Sequence, residues 1–289
     1  MSFTATDGRK LTYRKLGHGP MLVCHPGGPG FSSTYFGDLA ALWEQYTLIM
    51  LNPRGTLGSS RPSDAGAYRI DDYVADLEEL RRHLGLERMH LLGHSHGGIV
   101  AQAYAARNPD RVRGLVLAST LARFGEKQEA AMQAGMEKRS GQPWYEDASA
   151  ALEQEQAGDF RTDEEMSALV FRELPLYFAH FGAAEAGYLD TLRTEQLNAD
   201  ALRLFNNQIF TTFDLRSELP NIEAATLVIC GDDDFITGPV CANEICSCIR
   251  GAKRVIVGDA GHMVFVEQPQ VFHDEVADFL DGLSRRSPN

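Results

Sequence analysis

Basic residues are scarce in this chain. Its 289 residues include 27 lysines and arginines against 40 aspartates and glutamates, a formal net charge of −13. That balance argues against a phosphate-binding surface, so neither nucleic acid nor an anionic membrane is an expected partner. No apolar run approaches the roughly 20 residues needed to cross a bilayer. Met1–Asp7 has neither a basic start nor an apolar signal core, so a cytoplasmic location is the expectation. Cysteines number five, an odd count that fits a reduced compartment rather than a disulfide framework. Cys24 and Cys230 fall in or beside apolar runs and read as small core residues. Cys241, Cys246 and Cys248 share one helix-like segment but point in scattered directions and lack the spacing of a zinc site. There is no internal repeat and no low-complexity tract. Hydrophobic residues make up 44% of the chain, ample for the core of one domain with an insertion.

What the sequence does contain is concentrated at Gly93-His94-Ser95-His96-Gly97, with Gly98 after it. An apolar run, Met89–Leu92, precedes this pentapeptide and a helix-like run, Ile99–Ala105, follows it. Strand, sharp turn and helix around G-x-S-x-G form the context of a nucleophile elbow. The turn forces the serine backbone into a strained conformation, and glycines avoid the clashes that side chains would cause there. N–H groups opening the helix after Ser95 then face the charge that develops on a substrate oxygen.

The same chemistry needs an acid and a base, in the chain order serine, acid, histidine. Thr226–Cys230 is an apolar, β-branched run that reads as a buried strand and ends in Gly231-Asp232-Asp233-Asp234-Phe235. A carboxylate just past a strand's C-terminal end lies where parallel sheets carry their chemistry. Asp234 is the chosen acid, because three residues after Gly231 leave room for the turn to carry it back; Asp232 is the alternative. Arg254–Val257 is another strand, and Asp259-Ala260-Gly261-His262-Met263 follows it, making His262 the base.

With these residues in order, the chain resembles the α/β-hydrolases and, more narrowly, the proline iminopeptidase group. The narrowing comes from His25-Pro26-Gly27-Gly28-Pro29-Gly30 after the strand-like Met21–Cys24, similar to the H-G-G-P-G loop of that group. The resemblance implies an oxyanion hole formed by the N–H groups of Gly28 and His96. Asn52-Pro53-Arg54-Gly55 matches a third family segment, with Arg54 read as a structural tie between loops. The likeness spans residues from about 10 to 120 and about 220 to 282.

The departures concern the substrate. The group holds its substrate's free amine with carboxylates, one of them a glutamate immediately after the triad aspartate; Phe235 stands there. Leu204–Ile209 offers no counterpart for a second glutamate, and Pro26 replaces the loop histidine, with His25 one place earlier. A dehydrated ammonium ion needs a nearby anion. His25 and Phe235 are accordingly taken as pocket residues, and the expected activity is cleavage of a small ester, lactone or amide through an acyl-enzyme. A true prolyl or other aminopeptidase with carboxylates supplied by an inserted cap is an alternative, and so is a ligand-binding receptor that keeps the fold with little turnover. No metal or organic cofactor is implied, and the expected partner is a small-molecule substrate.

Alternating strands and helices predict an α/β fold: the α/β-hydrolase fold, a mostly parallel, doubly wound sheet with an inserted helical cap. Residues 2–17 read as a hairpin turning at Asp7-Gly8. Helices are expected near 36–45, 73–84, 240–249 and 272–283. Strand signals stop after Ser119, and 121–214 holds 17 acidic and 8 basic residues, −9 of the net −13. That segment is the expected cap, with 1–120 and 215–289 as the core domain. Its aromatic residues, among them Phe171, Tyr177, Phe178, Phe205, Phe210 and Phe213, are expected to divide between cap core and pocket roof. Residues after Ser284 are expected to be disordered.

Overall fold

A computed structural model describes residues 1–285; part of the stretch expected to be disordered, 286–289, lies outside the described residues. Eight strands form one sheet: β1 (Ser2–Thr4), β2 (Lys10–Leu16), β3 (Met21–His25), β4 (Thr47–Asn52), β5 (Met89–His94), β6 (Val112–Ala118), β7 (Ala225–Gly231) and β8 (Lys253–Val257). Their spatial order is β1-β2-β4-β3-β5-β6-β7-β8. β1 and β2 form the expected hairpin through Asp7-Gly8, and β2 pairs antiparallel with β4. All later pairings are parallel. The chain therefore has the α/β-hydrolase fold.

Strand residues alternate between the two faces, because successive side chains in a strand point to opposite sides. Val23, Ile49, Leu91, Leu115 and Val228 share one core with α1 (Ile70–His83), α2 (His96–Arg107) and later α8 (Pro239–Cys248). Leu22, Leu48, Leu92, Val116 and Leu227 share the other with the C-terminal helix. Each fully buried side chain of this kind contributes about 1.5–3 kcal/mol relative to exposure. The burial on both faces explains why these strands read as unbroken apolar runs.

Between β6 and β7 the chain is helical, as its loss of strand signals predicts: α3 (Glu126–Arg139), α4 (Tyr145–Gln156), α5 (Asp163–Glu173), α6 (Ala183–Leu192) and α7 (Ala199–Leu204). Its two ends meet where Arg123 bridges Asp214 and the Leu215 N–H donates to the Ala122 carbonyl. α8 follows β7, and a short α9 (Val264–Glu267) leads into α10 (Pro269–Arg285). None of the described helices is long and apolar enough to cross a membrane.

One expected helix does not form. Residues 36–45 contain short 3₁₀ turns at Ser33–Phe36 and Leu42–Glu44, joined by Leu39, Ala40 and Ala41 at φ of 51°, 55° and 58°. Left-handed backbone costs roughly 1–2 kcal/mol per residue. Here it delivers Leu39 and Leu42 to full burial, and packing overrides local preference.

Arg54 has the structural role expected of it. Its guanidinium donates to both Asp76 carboxylate oxygens at 2.7 and 2.9 Å, and to the carbonyls of Ala67 and Asp72. Both side chains are almost wholly buried. Removing one partner of a buried pair leaves the other uncompensated, so Arg54→Met is expected to lower unfolding free energy by about 3–5 kcal/mol. Urea denaturation measures this; a loss below 1 kcal/mol would show that Arg9, which also meets Asp76, suffices.

Candidate active site

The turn from β5 into α2 places Ser95 at φ 54° and ψ −123°, outside ordinary L-residue space. Two glycines make the turn possible by close approach. A Cβ on Gly93 would lie 2.3 Å from the Gly97 carbonyl oxygen, and one on Gly97 would lie 2.2 Å from the His25 carbonyl oxygen. The strained residue is held from both sides: its N–H donates to the Ala118 carbonyl at 3.0 Å, and its carbonyl accepts from Thr120 Oγ1 at 2.7 Å. Ser95 stays partly accessible and lines a pocket beneath the inserted helices.

β7 and β8 deliver the acid and base to the same pocket. His262 Nδ1 lies 3.0 Å from Asp234 Oδ2. Asp234 Oδ1 accepts from the N–H groups of Ile236 and Thr237 at 3.1 and 3.0 Å. Thr237 Oγ1 donates to Asp234 Oδ2 at 2.6 Å and sits 3.0 Å from His262 Nδ1. Since its proton is committed to the aspartate, that hydroxyl can share the Nδ1–H as an acceptor. Burial opposes ionisation of Asp234, but the His262 charge and these hydrogen bonds outweigh it and hold the carboxyl down at about 2. Thr237 escaped the sequence reading; its signal was a threonine three residues beyond an aspartate in a turn. Asp232 is exposed, and Asp233 is engaged by Lys138 at 2.8 Å, so neither faces the histidine.

Gly28 and His96, the expected oxyanion donors, line the same pocket as Ser95. The Gly27 N–H is taken by the Tyr35 hydroxyl at 2.6 Å. The Gly28 and His96 N–H groups have no acceptor among the described residues, and both residues line the pocket. The His96 ring lies edge-on to Tyr73 and Phe205, at 5.1 and 5.0 Å, and burial draws its pKa to about 3. The ring is therefore a neutral imidazole.

Two expected pocket residues lie elsewhere. His25 is wholly buried at the end of β3, with Nδ1 2.9 Å from the Pro26 carbonyl and its ring edge-on to Tyr73. Phe235 turns away from the pocket, stacking edge-on to Tyr177 at 5.2 Å with the Arg139 guanidinium over its face. Asp234 already points inward, so its neighbour faces out, and Ile236 and Thr237 line the pocket instead. Of the inserted aromatics, Tyr177, Phe205 and Phe210 reach the pocket, while Phe178 and Phe213 are core.

Sequence reasoning also missed Glu155 of α4 and Glu173 of α5. Both line the pocket of Ser95 and His262, and its lining contains no lysine or arginine. Glu155 Oε1 accepts from Asn206 Nδ2 at 3.0 Å. Asn206 lies in the run searched for a second glutamate, so that run meets a carboxylate rather than providing one. Among the described residues Glu173 Oε2 has no hydrogen-bond partner, and Oε1 has only the Tyr177 hydroxyl at 3.5 Å. Burial raises Glu155 to about 7. Burial and then repulsion by Glu155 raise Glu173 well above the carboxylate range. In the sequence these were two acids among 17 in an acidic segment, with nothing to set them apart.

The alpha/beta hydrolase fold family model matches residues 20–269, and the chain belongs to that family. Within it, the chain is similar to the proline iminopeptidase of Lacticaseibacillus rhamnosus, at 30% identity over 94% of this chain and 93% of that protein. The proline iminopeptidase of Heyndrickxia coagulans is 26% identical over 97% and 98%. Among solved structures, the enol-lactonase of Burkholderia xenovorans LB400 matches with a TM-score of 0.73 at 27% identity, over 97% of this chain and all of that one. The protein is a hydrolase that resembles the proline iminopeptidases.

Ser95→Ala is expected to reduce p-nitrophenyl ester turnover to background. Thr237→Val, which loosens the acid–base contact, is expected to lower kcat about 10-fold. Full kcat in Thr237→Val would mean that the Asp234–His262 contact orients the imidazole unaided.

Proposed function

We propose that this hydrolase is a serine hydrolase of aminopeptidase type, cleaving small amides or esters whose acyl part carries a free cationic amine. The observation behind this reading is the pair of buried carboxylates, Glu155 and Glu173, in the pocket of Ser95 and His262 without a compensating cation. A buried carboxylate without a partner is costly, and an ammonium group supplies the missing charge and donors. The expected ester or lactone preference rested on Phe235, which lies outside the pocket; the peptidase alternative required carboxylates from the inserted segment, which is where these two lie. We also propose that residues 121–214 act as a cap domain over a core of 1–120 and 215–289.

In this mechanism Ser95 Oγ attacks the substrate carbonyl while His262 takes its proton. Asp234 holds the imidazole through Nδ1 and stabilises its charged form. The tetrahedral oxyanion is held by the N–H groups of Gly28 and His96, each worth about 10²–10³ in rate. His262 then protonates the leaving amine or alcohol, the carbon–leaving-group bond breaks, and an acyl-Ser95 ester remains. Water, deprotonated by His262, releases the acid and restores the serine.

A second reading is hydrolysis of neutral esters or lactones. The likeness to the enol-lactonase favours it, as does the mostly apolar wall of Phe31, Ile99, Leu121, Val170 and Leu202.

The two differ in pH dependence. Glu155 is neutral below about 7 and anionic above it, so KM for proline p-nitroanilide is expected to fall as pH rises through 7. KM for p-nitrophenyl acetate is expected to stay flat. Glu155→Gln and Glu173→Gln are each expected to raise the anilide KM at least 10-fold, about 1.4 kcal/mol, and to leave the ester KM within twofold. The raised carboxyl also means that the fold loses stability as pH rises from 4.5 through about 7, a loss relieved by Glu155→Gln. Equal effects on both substrates would sink amine recognition and leave the neutral reading.

A further inference from the structure

His94, the residue before the elbow serine, is almost wholly buried in the pocket wall yet has a partner at each ring nitrogen. Nε2 lies 3.0 Å from the carbonyl oxygen of His262, and Nδ1 lies 2.8 Å from the Tyr35 hydroxyl. The Tyr35 hydroxyl is also 2.6 Å from the Gly27 N–H. These contacts permit one arrangement of protons. A carbonyl can only accept, so Nε2 carries the hydrogen. In a neutral imidazole Nδ1 is then the acceptor, so Tyr35 must donate its only proton there. Its lone pair remains for the Gly27 N–H. Burial keeps the components in these states, drawing His94 to about 3 and raising Tyr35 well above its usual value.

The ends of this chain are placed for function. Gly27 adjoins Gly28, the candidate oxyanion donor; His94 adjoins Ser95; and the last acceptor is the backbone of His262 itself. The rings are enclosed by aromatic neighbours, with Phe265 edge-on to His94 at 5.2 Å and Phe36 at 6.3 Å. The His94 and His262 rings are 4.7 Å apart. The inserted helices join in, since the Tyr188 hydroxyl donates to the Tyr35 carbonyl at 2.5 Å.

We infer that Tyr35 and His94 are positioning residues, forming one directed hydrogen-bond chain, Gly27 N–H to Tyr35 to His94 to the His262 carbonyl, that sets the oxyanion loop and the base in register around Ser95. The inference rests on the proposed roles of Ser95, His262 and Gly28. It does not depend on which acyl group the enzyme takes. The chain acts through geometry: a shift of the order of 1 Å between nucleophile, base and oxyanion donor costs up to about 10²-fold in rate. Breaking it leaves buried polar groups unpaired at both ends.

The test combines kinetics with spectroscopy on the full chain. Tyr35→Phe removes the central hydroxyl. His94→Gln keeps an N–H near Nε2 for the His262 carbonyl, and His94→Asn keeps an oxygen near Nδ1 for Tyr35. With p-nitrophenyl acetate, each variant is expected to lose about 10- to 100-fold in kcat, with KM within twofold. The double variant Tyr35→Phe with His94→Gln is expected to lose no more than the worse single, because both break one chain. Losses that multiply, or kcat unchanged in the single variants, would overturn the proposal. Nitrogen-15 NMR of the unmodified protein, with His94 assigned by its disappearance in His94→Gln, is expected to show the Nε2–H tautomer at neutral pH. An Nδ1–H tautomer overturns the chain whether or not any variant folds. Labelling of Ser95 by a fluorophosphonate separates the two levels. If Ser95 labels and the tautomer is wrong, only this inference fails; if Ser95 does not label, the reading beneath it fails as well.

Discussion

Everything in the site depends on one backbone constraint, the left-handed turn at Ser95. A serine at φ 54° is strained by on the order of 1–3 kcal/mol, and it persists because its surroundings leave no other path. β5 ends between β3 and β6, α2 begins at once, and the two glycines beside the serine leave no room for a Cβ. The Ala118 carbonyl and the Thr120 hydroxyl then hold the serine's own peptide groups. The strain lifts the serine side chain to the edge of the sheet and turns the first N–H groups of α2 toward the same spot. The proposed nucleophile and one of its proposed oxyanion donors thus share a single physical cause.

The remaining parts are brought to that point by the strands and held there by contacts far apart in sequence. Asp234 and His262 lie 28 residues apart in the chain and come within 3.0 Å because β7 and β8 are parallel neighbours. The His262 charge, together with the hydrogen bonds from His262 and from the carboxylate's own turn, keeps Asp234 charged despite its burial. His262 is also anchored through its backbone, where its N–H donates to the Tyr177 carbonyl at 2.7 Å. The inserted helices therefore touch the base directly as well as roofing the pocket. Their contribution is electrostatic too: they place two buried carboxyl groups in a largely apolar space, the feature on which the proposed amine recognition rests.

Much of this was legible in advance because the signals are local. The elbow's glycines, the apolar strand before it and the helical run after it lie within about twenty residues, and the acid and histidine each follow a strand in the required order. The sheet strands and most helices could be read from periodicity for the same reason. The stretch over 36–45 could not, because three residues there adopt left-handed backbone to satisfy packing that their own side chains do not announce. Phe235 was misplaced because its neighbour's inward orientation sets its own, and a turn's direction is invisible in composition. The role inferred for His94 is not visible in the sequence, because its two partners lie 59 and 168 residues away.

By itself, then, the sequence determined the fold class and the elbow turn, and it singled out the candidate nucleophile, acid and base in their order, since each signal arises from short-range backbone rules and hydrophobic periodicity. Tertiary structure alone decided which acidic residues of a highly charged insertion become buried, where Phe235 points, and how Tyr35 and His94 tie the oxyanion loop to the base. Those outcomes depend on which distant surfaces come together. A glutamate in water and a glutamate in a dry pocket have the same letter, and only the packing around them separates a solvated charge from a binding site.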